Sequence, residues 1–332
     1  MTDQWTRANT DWFHAAKWGT MTHFLADFAS NVSAVEVPID DWNRRAESVD
    51  VDLLARRIAD TGAGYHIFTI GQNSGYFCSP NAYYDSLVGT PSRLSQRDLI
   101  ADLAAALARF SVPMFAYLPT HPGALYSHAL EALKFTPKWD ASRTGIVPGA
   151  YLAAHDVDDR LTEGMQNWEA VIREWSTRWG KSISGWWFDG CYFADKLFLH
   201  DDAPNFRSFV EAAKAGNPDS LVAFGTGVRI PIASATPYED YTAGELNDLW
   251  LGNKWGPQSR FIDGAQFHAL TYLGKWWGEG PTRFCDELAI GYTKHINGAD
   301  GVLTWDIPTG QDGQIPDDFR RQLTAIGCAT RR

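Results

Sequence analysis

Short apolar runs alternate with longer amphipathic stretches along the whole chain. Eight runs have the length and composition of buried strands: Lys17–His23, Tyr65–Ile70, Pro113–Leu118, Ile183–Phe188, Leu221–Phe224, a weaker one at Tyr238–Ala243, Gly264–Leu270 and Gly301–Asp306. Such near-continuous apolar runs are expected of parallel strands covered on both faces. Between them, Val51–Thr61, Ser95–Phe110, Thr162–Trp179, Ala203–Ala215, Pro281–Ile296 and Pro316–Ile326 space their apolar residues three and four apart, as helices with one buried face do. Asn217-Pro218-Asp219 marks a turn from helix to strand. Strands each followed by a helix or a long loop predict an α/β fold, a (β/α)8 barrel. A doubly wound open sheet is the competing arrangement, but neither GxGxxG nor GxxxxGK[ST] follows an early strand. With no linker, repeat or break in composition, residues 1–332 are expected to form one domain. The loop-rich stretches Tyr126–Asp159 and Thr226–Gly264 would then shape the rim of the barrel.

A barrel places its chemistry at the C-terminal ends of its strands. Those ends carry His23, Gln72 and Asn73, His121, Asp189, Arg229, Glu239 or Glu245, His268, and Trp305 with Asp306. Asp189 stands out. It closes the run Ser182-Ile183-Ser184-Gly185-Trp186-Trp187-Phe188 and is followed by Gly190. A carboxylate at the end of an aromatic strand is costly to desolvate unless it binds or reacts, or else caps a helix or pairs with an arginine. His66 and His155 read as structural histidines.

Fifteen tryptophans are the compositional outlier. Most can fill a core, while Trp187 and Trp305, near strand ends, are placed to offer apolar faces to a sugar. Trp276 and Trp277 suit either a rim or a contact between subunits, so a homo-oligomer remains open. A net charge of −11 and the lack of a Lys/Arg run argue against nucleic acid and anionic membranes as partners. The first residues contain no apolar signal core, and no stretch is long enough to span a bilayer, so a cytoplasmic protein is expected. Cys78, Cys191, Cys285 and Cys328 show no CxxC pairing and read as reduced thiols. HExxH, HxH and Gly-x-Ser-x-Gly are all missing, so neither a metal nor another cofactor is expected, and a serine hydrolase is disfavoured.

In chain order, several segments resemble glycoside hydrolase family 29, the α-L-fucosidases. Trp12–Phe24 looks like that family's opening strand ending in a sugar-contacting histidine, here His23. Ala59-Asp60-Thr61-Gly62-Ala63-Gly64-Tyr65 looks like the turn before its second strand. Trp186-Trp187-Phe188-Asp189-Gly190 is similar to its Trp-Phe-Asp-Gly, and Asp240-Tyr241-Thr242-Ala243-Gly244-Glu245 to a segment carrying the acid/base glutamate in some members. Asn297–Gly327, with Asp306–Pro316, looks like its closing strand and helix. The resemblance implies a retaining, exo-acting α-L-fucosidase with Asp189 as nucleophile and Glu245, or Glu239 behind it, as acid/base. His23, Gln72, Asn73, His121, Trp187, Arg229 and Trp305 would line the sugar pocket, and a short oligosaccharide or glycoside would be the substrate.

The chain departs from the pattern in three places. The family's Lys-His-His-Asp-Gly-Phe is here Gly71-Gln72-Asn73-Ser74-Gly75-Tyr76. Phe24-Leu25 replaces a Trp-Gly after His23, and the fold is expected to lack the C-terminal β-sandwich that many members add. Three other readings stay open: a glycosidase for another sugar, a sugar-binding barrel without turnover, and a metal-dependent hydrolase using His23, His121 and His268 with Asp189.

Overall fold

In chain order the strands are β1 (Trp18–Thr22), β2 (His66–Thr69), β3 (Met114–Pro119), β4 (Gly185–Asp189), β5 (Leu221–Phe224), β6 (Phe261–Ile262), β7 (Ala265–Gln266), β8 (His268–Tyr272) and β9 (Val302–Ile307). They come from a computed structural model that describes residues 5–26, 36–135, 160–192, 194–250 and 259–330. Seven strands form one sheet in the order β5-β4-β3-β2-β1-β9-β8, and every pairing within it is parallel. Helices follow the strands and cover the outside, including Val51–Thr61, Leu99–Ala108, Thr162–Trp179, Phe206–Ala213, Asp286–Gly298 and Asp317–Thr330. The fold is a single (β/α)8-type barrel.

The eighth stave is residues 240–246, and it is not a regular strand. Its backbone hydrogen-bonds on both sides: Asp240 N to Val222 O at 2.8 Å, Thr242 N to Gln266 O at 3.0 Å, and Leu246 N to Leu270 O at 2.8 Å. The approach to β8 is so close that a Cβ on Gly244 would lie 2.0 Å from the His268 carbonyl oxygen. Gly244 also has φ +62°, so only glycine fits. Asp240 locks the other edge. Its buried carboxylate accepts from Ala8 N at 2.7 Å and Val222 N at 2.9 Å, and pairs with Lys214 Nζ at 2.7 Å.

Side-chain parity sorts the core into two layers, because successive residues of a strand face opposite ways. Met21, Ile67, Phe115, Tyr117, Trp187, Tyr241, Ala243, Leu270, Tyr272 and Val302 pack together inside the barrel. Trp18, Phe68, Met114, Trp186, Phe188, Leu303 and Trp305 pack against the helices. Phe13, from the helix Asp11–Ala16, plugs the lower end, with its ring 4.8 Å from Tyr65, 5.4 Å from Phe115 and 5.0 Å from Tyr241. The sealed floor leaves the C-terminal mouth as the place for chemistry.

Two expectations need correction. The run Gly264–Leu270 is not one strand: β7 pairs antiparallel with β6 around Asp263-Gly264, and β8 begins at His268. His268 therefore stands at the foot of its strand rather than the top, with Nδ1 2.8 Å from Thr242 O and Nε2 2.7 Å from Thr304 Oγ1. The helices Asp11–Ala16, Ile39–Ser48, Ala82–Val88 and Ser127–Ala132 were not expected, since each is short or buries few residues. His66, as anticipated, is buried, its ring nitrogens 2.9 Å from Thr20 Oγ1 and 3.1 Å from Thr22 Oγ1. His155 and parts of both rim stretches lie outside the described residues. Among the described residues no helix is long and apolar enough to cross a membrane.

Because Lys214 is nearly buried against Asp240, Asp240→Ala should leave an uncompensated charge and open the seam beside β5. A loss of about 3–5 kcal/mol in urea unfolding is expected. A loss below about 1 kcal/mol would show that this pair does not hold the barrel closed.

Candidate active site

The residues one step above the inner core converge at the mouth. On β4 Gly185, Trp187 and Asp189 share one parity, so Asp189 follows Trp187 inward and ends the strand half-buried. The Trp187 ring lies flat against Tyr117, at 5.4 Å and 9°. Above this stack the Tyr117 hydroxyl donates to Asp189 Oδ2. Gln72 Nε2 donates to the Tyr117 oxygen at 2.6 Å and approaches Asp189 Oδ2 at 3.4 Å. The Gly190 amide donates to Oδ1 at 2.7 Å, and the Tyr192 hydroxyl reaches Oδ1 at 3.4 Å. Burial, and then the charge of Asp189, push the Tyr117 phenol well up, so it remains a donor.

Glu245 ends the irregular stave with the parity of Tyr241 and Ala243, which face the barrel axis. Burial first, and then the neighbouring Asp189 charge, push its carboxyl up to about 8. Two like charges share one low-dielectric mouth, so the second acid keeps its proton. Among the described residues Glu245 Oε2 and Gln72 Oε1 are buried without a hydrogen-bond partner. Buried polar atoms are rarely left unpaired, so an orphaned pair at one mouth points to a polar ligand.

The wall opposite is built by His23, just beyond β1. Its Nδ1 lies 2.7 Å from Asp306 Oδ1, while the Gly278 amide donates to Asp306 Oδ2 at 2.7 Å. Burial alone would lower the His23 pKa, but the Asp306 charge and hydrogen bond overcome it, and Asp189 adds to them, so the net shift is upward. The His23 ring stands edge-on to Tyr117 at 5.6 Å and lies 6.4 Å from Trp277. His121 is buried beside Gly190, accepts from Gly123 N at 3.2 Å, and is pushed down to about 3 by burial, so it is neutral.

The structure thus brings together Asp189, Glu245, His23, Gln72 and His121. Asn73 is half-buried next to them, and its carbonyl holds Leu125 N at 2.8 Å. Others of the expected set stand elsewhere. Trp305 has the opposite parity to Asp306 and faces the helices, donating to Thr293 Oγ1 at 3.0 Å. Trp187 points inward but is covered by Tyr117, forming the floor rather than a wall. Glu239 is fully buried, with its oxygens accepting from Ala235 N at 2.7 Å and Phe224 N at 3.2 Å, which makes it a brace for its own turn. Arg229 is exposed on the loop after β5. His268, at the foot of the barrel, is separated from His23 and His121, and among the described residues no group of three His, Cys, Asp or Glu could hold a metal. Sequence reasoning missed Tyr117 and Tyr192 and left Trp277 unassigned. Parity would have found Tyr117, since Pro119 pairs with Asp189 in register and Tyr117 stands two residues below it.

A cavity of about 470 Å³ is lined by none of these residues. It is lined by Glu36, Tyr76, Arg93 and Tyr126 among others, with Arg93 held over both tyrosine rings.

No family model matches the sequence, and no curated protein matches it. Solved structures do. An endo-fucoidan hydrolase of glycoside hydrolase family 107 superposes with a TM-score of 0.71 at 14% identity, over 98% of this chain and 94% of that one. An α-L-fucosidase from Lactobacillus casei in complex with α-L-fucose gives 0.63 at 15% identity, over 96% and 98%. A family 29 α-L-fucosidase from Bacteroides thetaiotaomicron, trapped as a covalent intermediate, gives 0.61 at 15% identity, over 98% and 76%. The barrel is therefore similar in fold to fucose-acting glycoside hydrolases, in keeping with the sequence resemblance to family 29.

Proposed function

We propose that this chain is a retaining glycoside hydrolase of the α-L-fucosidase type, releasing a terminal fucose or a related sugar through a covalent glycosyl-enzyme on Asp189. The observation that carries the reading is the pair of unlike acids at one barrel mouth. Asp189 is held by Tyr117 and the Gly190 amide, while Glu245 is raised by burial and by Asp189 itself. The fold shared with fucose-acting hydrolases supports the sugar.

Retaining hydrolysis uses one carboxylate to attack the anomeric carbon and one carboxylic acid to protonate the departing oxygen. Asp189, fixed at a strand end by donors from four neighbours, suits the attack. Glu245 suits the proton transfer because it holds its proton near neutral pH. Once Asp189 becomes an ester its charge is gone, so the Glu245 pKa falls and its carboxylate can take a proton from the attacking water. His23, whose charged form Asp306 favours, presents its other ring nitrogen to a sugar hydroxyl. Gln72 spends its amide N–H groups on Tyr117 and Asp189, so its free Oε1 accepts from another hydroxyl. Where family 29 places histidines, this chain presents an acceptor, and a site built to pair a hydroxyl discriminates strongly against sugars that lack it.

Asp189→Ala should reduce turnover of 4-nitrophenyl α-L-fucoside by roughly a thousandfold or more, with recovery on adding azide. Near-wild-type turnover in that variant would eliminate Asp189 as nucleophile. For Glu245→Ala the expected pattern is a loss of about 10²–10⁴-fold on poor leaving groups and little on good ones. Equal losses would argue against acid assistance.

Two pH measurements complete the test. Because Glu245 must be protonated to act and is raised to about 8, kcat/KM should fall as pH rises through that value. An alkaline limb below pH 6 would contradict the assignment. Asp306→Asn removes the largest of the interactions that together outweigh burial at His23, so the His23 pKa followed by imidazole NMR should move down. An unchanged titration would show that Asp306 does not set it.

A further inference from the structure

We propose that Tyr192, seated on Gly227, is the platform that receives the leaving group, and that it takes a group presenting a flat apolar face, an aryl ring or the C–H face of a second sugar. The inference rests on the hydrolase reading and adds the other half of the substrate to it. Tyr192 is 42% exposed. It is the first exposed side chain after Asp189, because Gly190 and Cys191 are buried. Cys191 N is tied to Gly225 O at 2.9 Å, which joins the loop after β4 to the loop after β5.

The ring of Tyr192 is seated on that second loop. A Cβ on Gly227 would come within 3.2 Å of it, and Gly227 has φ +85°, so a side chain there would both be strained and press on the ring. Beyond the seat in the chain, Val228 and Ile230 are 45% and 57% exposed, on either side of the exposed Arg229. Scattered exposed apolar residues are ordinary, so the platform rests on the Tyr192 ring itself, seated at the edge of a polar site. Tyr192 touches Asp189 through its hydroxyl and feels the charges of both Asp189 and Glu245. Displacement by Asp189 sends the oxygen out on the opposite face of the anomeric carbon, toward Glu245. The ring bonded to it then lies outward of the sugar, where Tyr192 is the exposed aromatic side chain that senses both carboxylates. Stacking on Tyr192 would hold that ring while Glu245 protonates the oxygen.

The test compares α-L-fucosyl fluoride, which has no leaving ring, with 4-nitrophenyl α-L-fucoside in wild type, Tyr192→Ala and Tyr192→Phe. Tyr192→Ala should lower kcat/KM on the nitrophenyl substrate about tenfold more than on the fluoride. Most of that difference should appear in KM, and Tyr192→Phe, which keeps the ring, should restore it. Equal losses on the two substrates, or a Phe variant as impaired as the Ala variant, would assign Tyr192 to Asp189 through its hydroxyl and overturn the platform. Wild-type enzyme inert toward the fluoride as well would remove the fucosidase reading and the platform argued from it, a result distinct from the other two.

Discussion

The hydrogen bond from Tyr117 to Asp189 is the point through which the barrel interior controls its mouth. Below it the inner column is closed to water: Phe13 at the base, Phe115 and Tyr241 around it, then the Trp187 ring lying flat against Tyr117. A carboxylate set directly on such a column has few waters to solvate it from beneath, and the protein must supply donors instead. Tyr117 rises from the same column, Gln72 comes from beyond β2, and Gly190 contributes its amide. Packing and chemistry are joined here, since the stacking that fixes the phenol also aims the group that holds the nucleophile candidate. The amide of Gln72 is oriented by the same chain of bonds. With the Tyr117 proton used on Asp189, only the N–H side of Gln72 can face the phenol oxygen.

The unlike environments of the two acids follow from where the staves end. Asp189 closes a regular strand and collects hydrogen-bond donors. Glu245 ends an irregular stave, has a buried oxygen with no partner among the described residues, and lies in the field of Asp189. Environments that push the two acids apart are a common way to divide acid and base roles within one site.

Much of this was legible in the sequence, for specific reasons. The run ending in Asp189 marked a strand end because its aromatic residues stop at a charge. His23 and Asp306 could each be placed at a strand end, though not as partners, since they lie far apart in the chain and only the β1–β9 register joins them. Trp305 was misread because both parities of a parallel strand are buried, one against the barrel axis and one against helices, and hydrophobicity does not distinguish them. Taking Asp306 as inward would have turned Trp305 outward. Glu245 is favoured over Glu239 only through the resemblance, since composition does not separate them. They differ because the backbone amides of Ala235 and Phe224 claim the first and nothing described claims the second. His268 was placed at the top of its strand because the turn at Asp263-Gly264 was read as the strand's beginning.

The wall formed by residues 240–246 has a consequence for how the molecule would age under heat. It is joined to its neighbours by a handful of backbone contacts and by the clamp of Asp240 on Lys214, whereas β4 pairs in full register on both sides. Local opening begins where the fewest bonds must break. Thermal breathing would therefore displace Glu245 while Asp189 stays in place, and the two acids would part before the fold itself gave way.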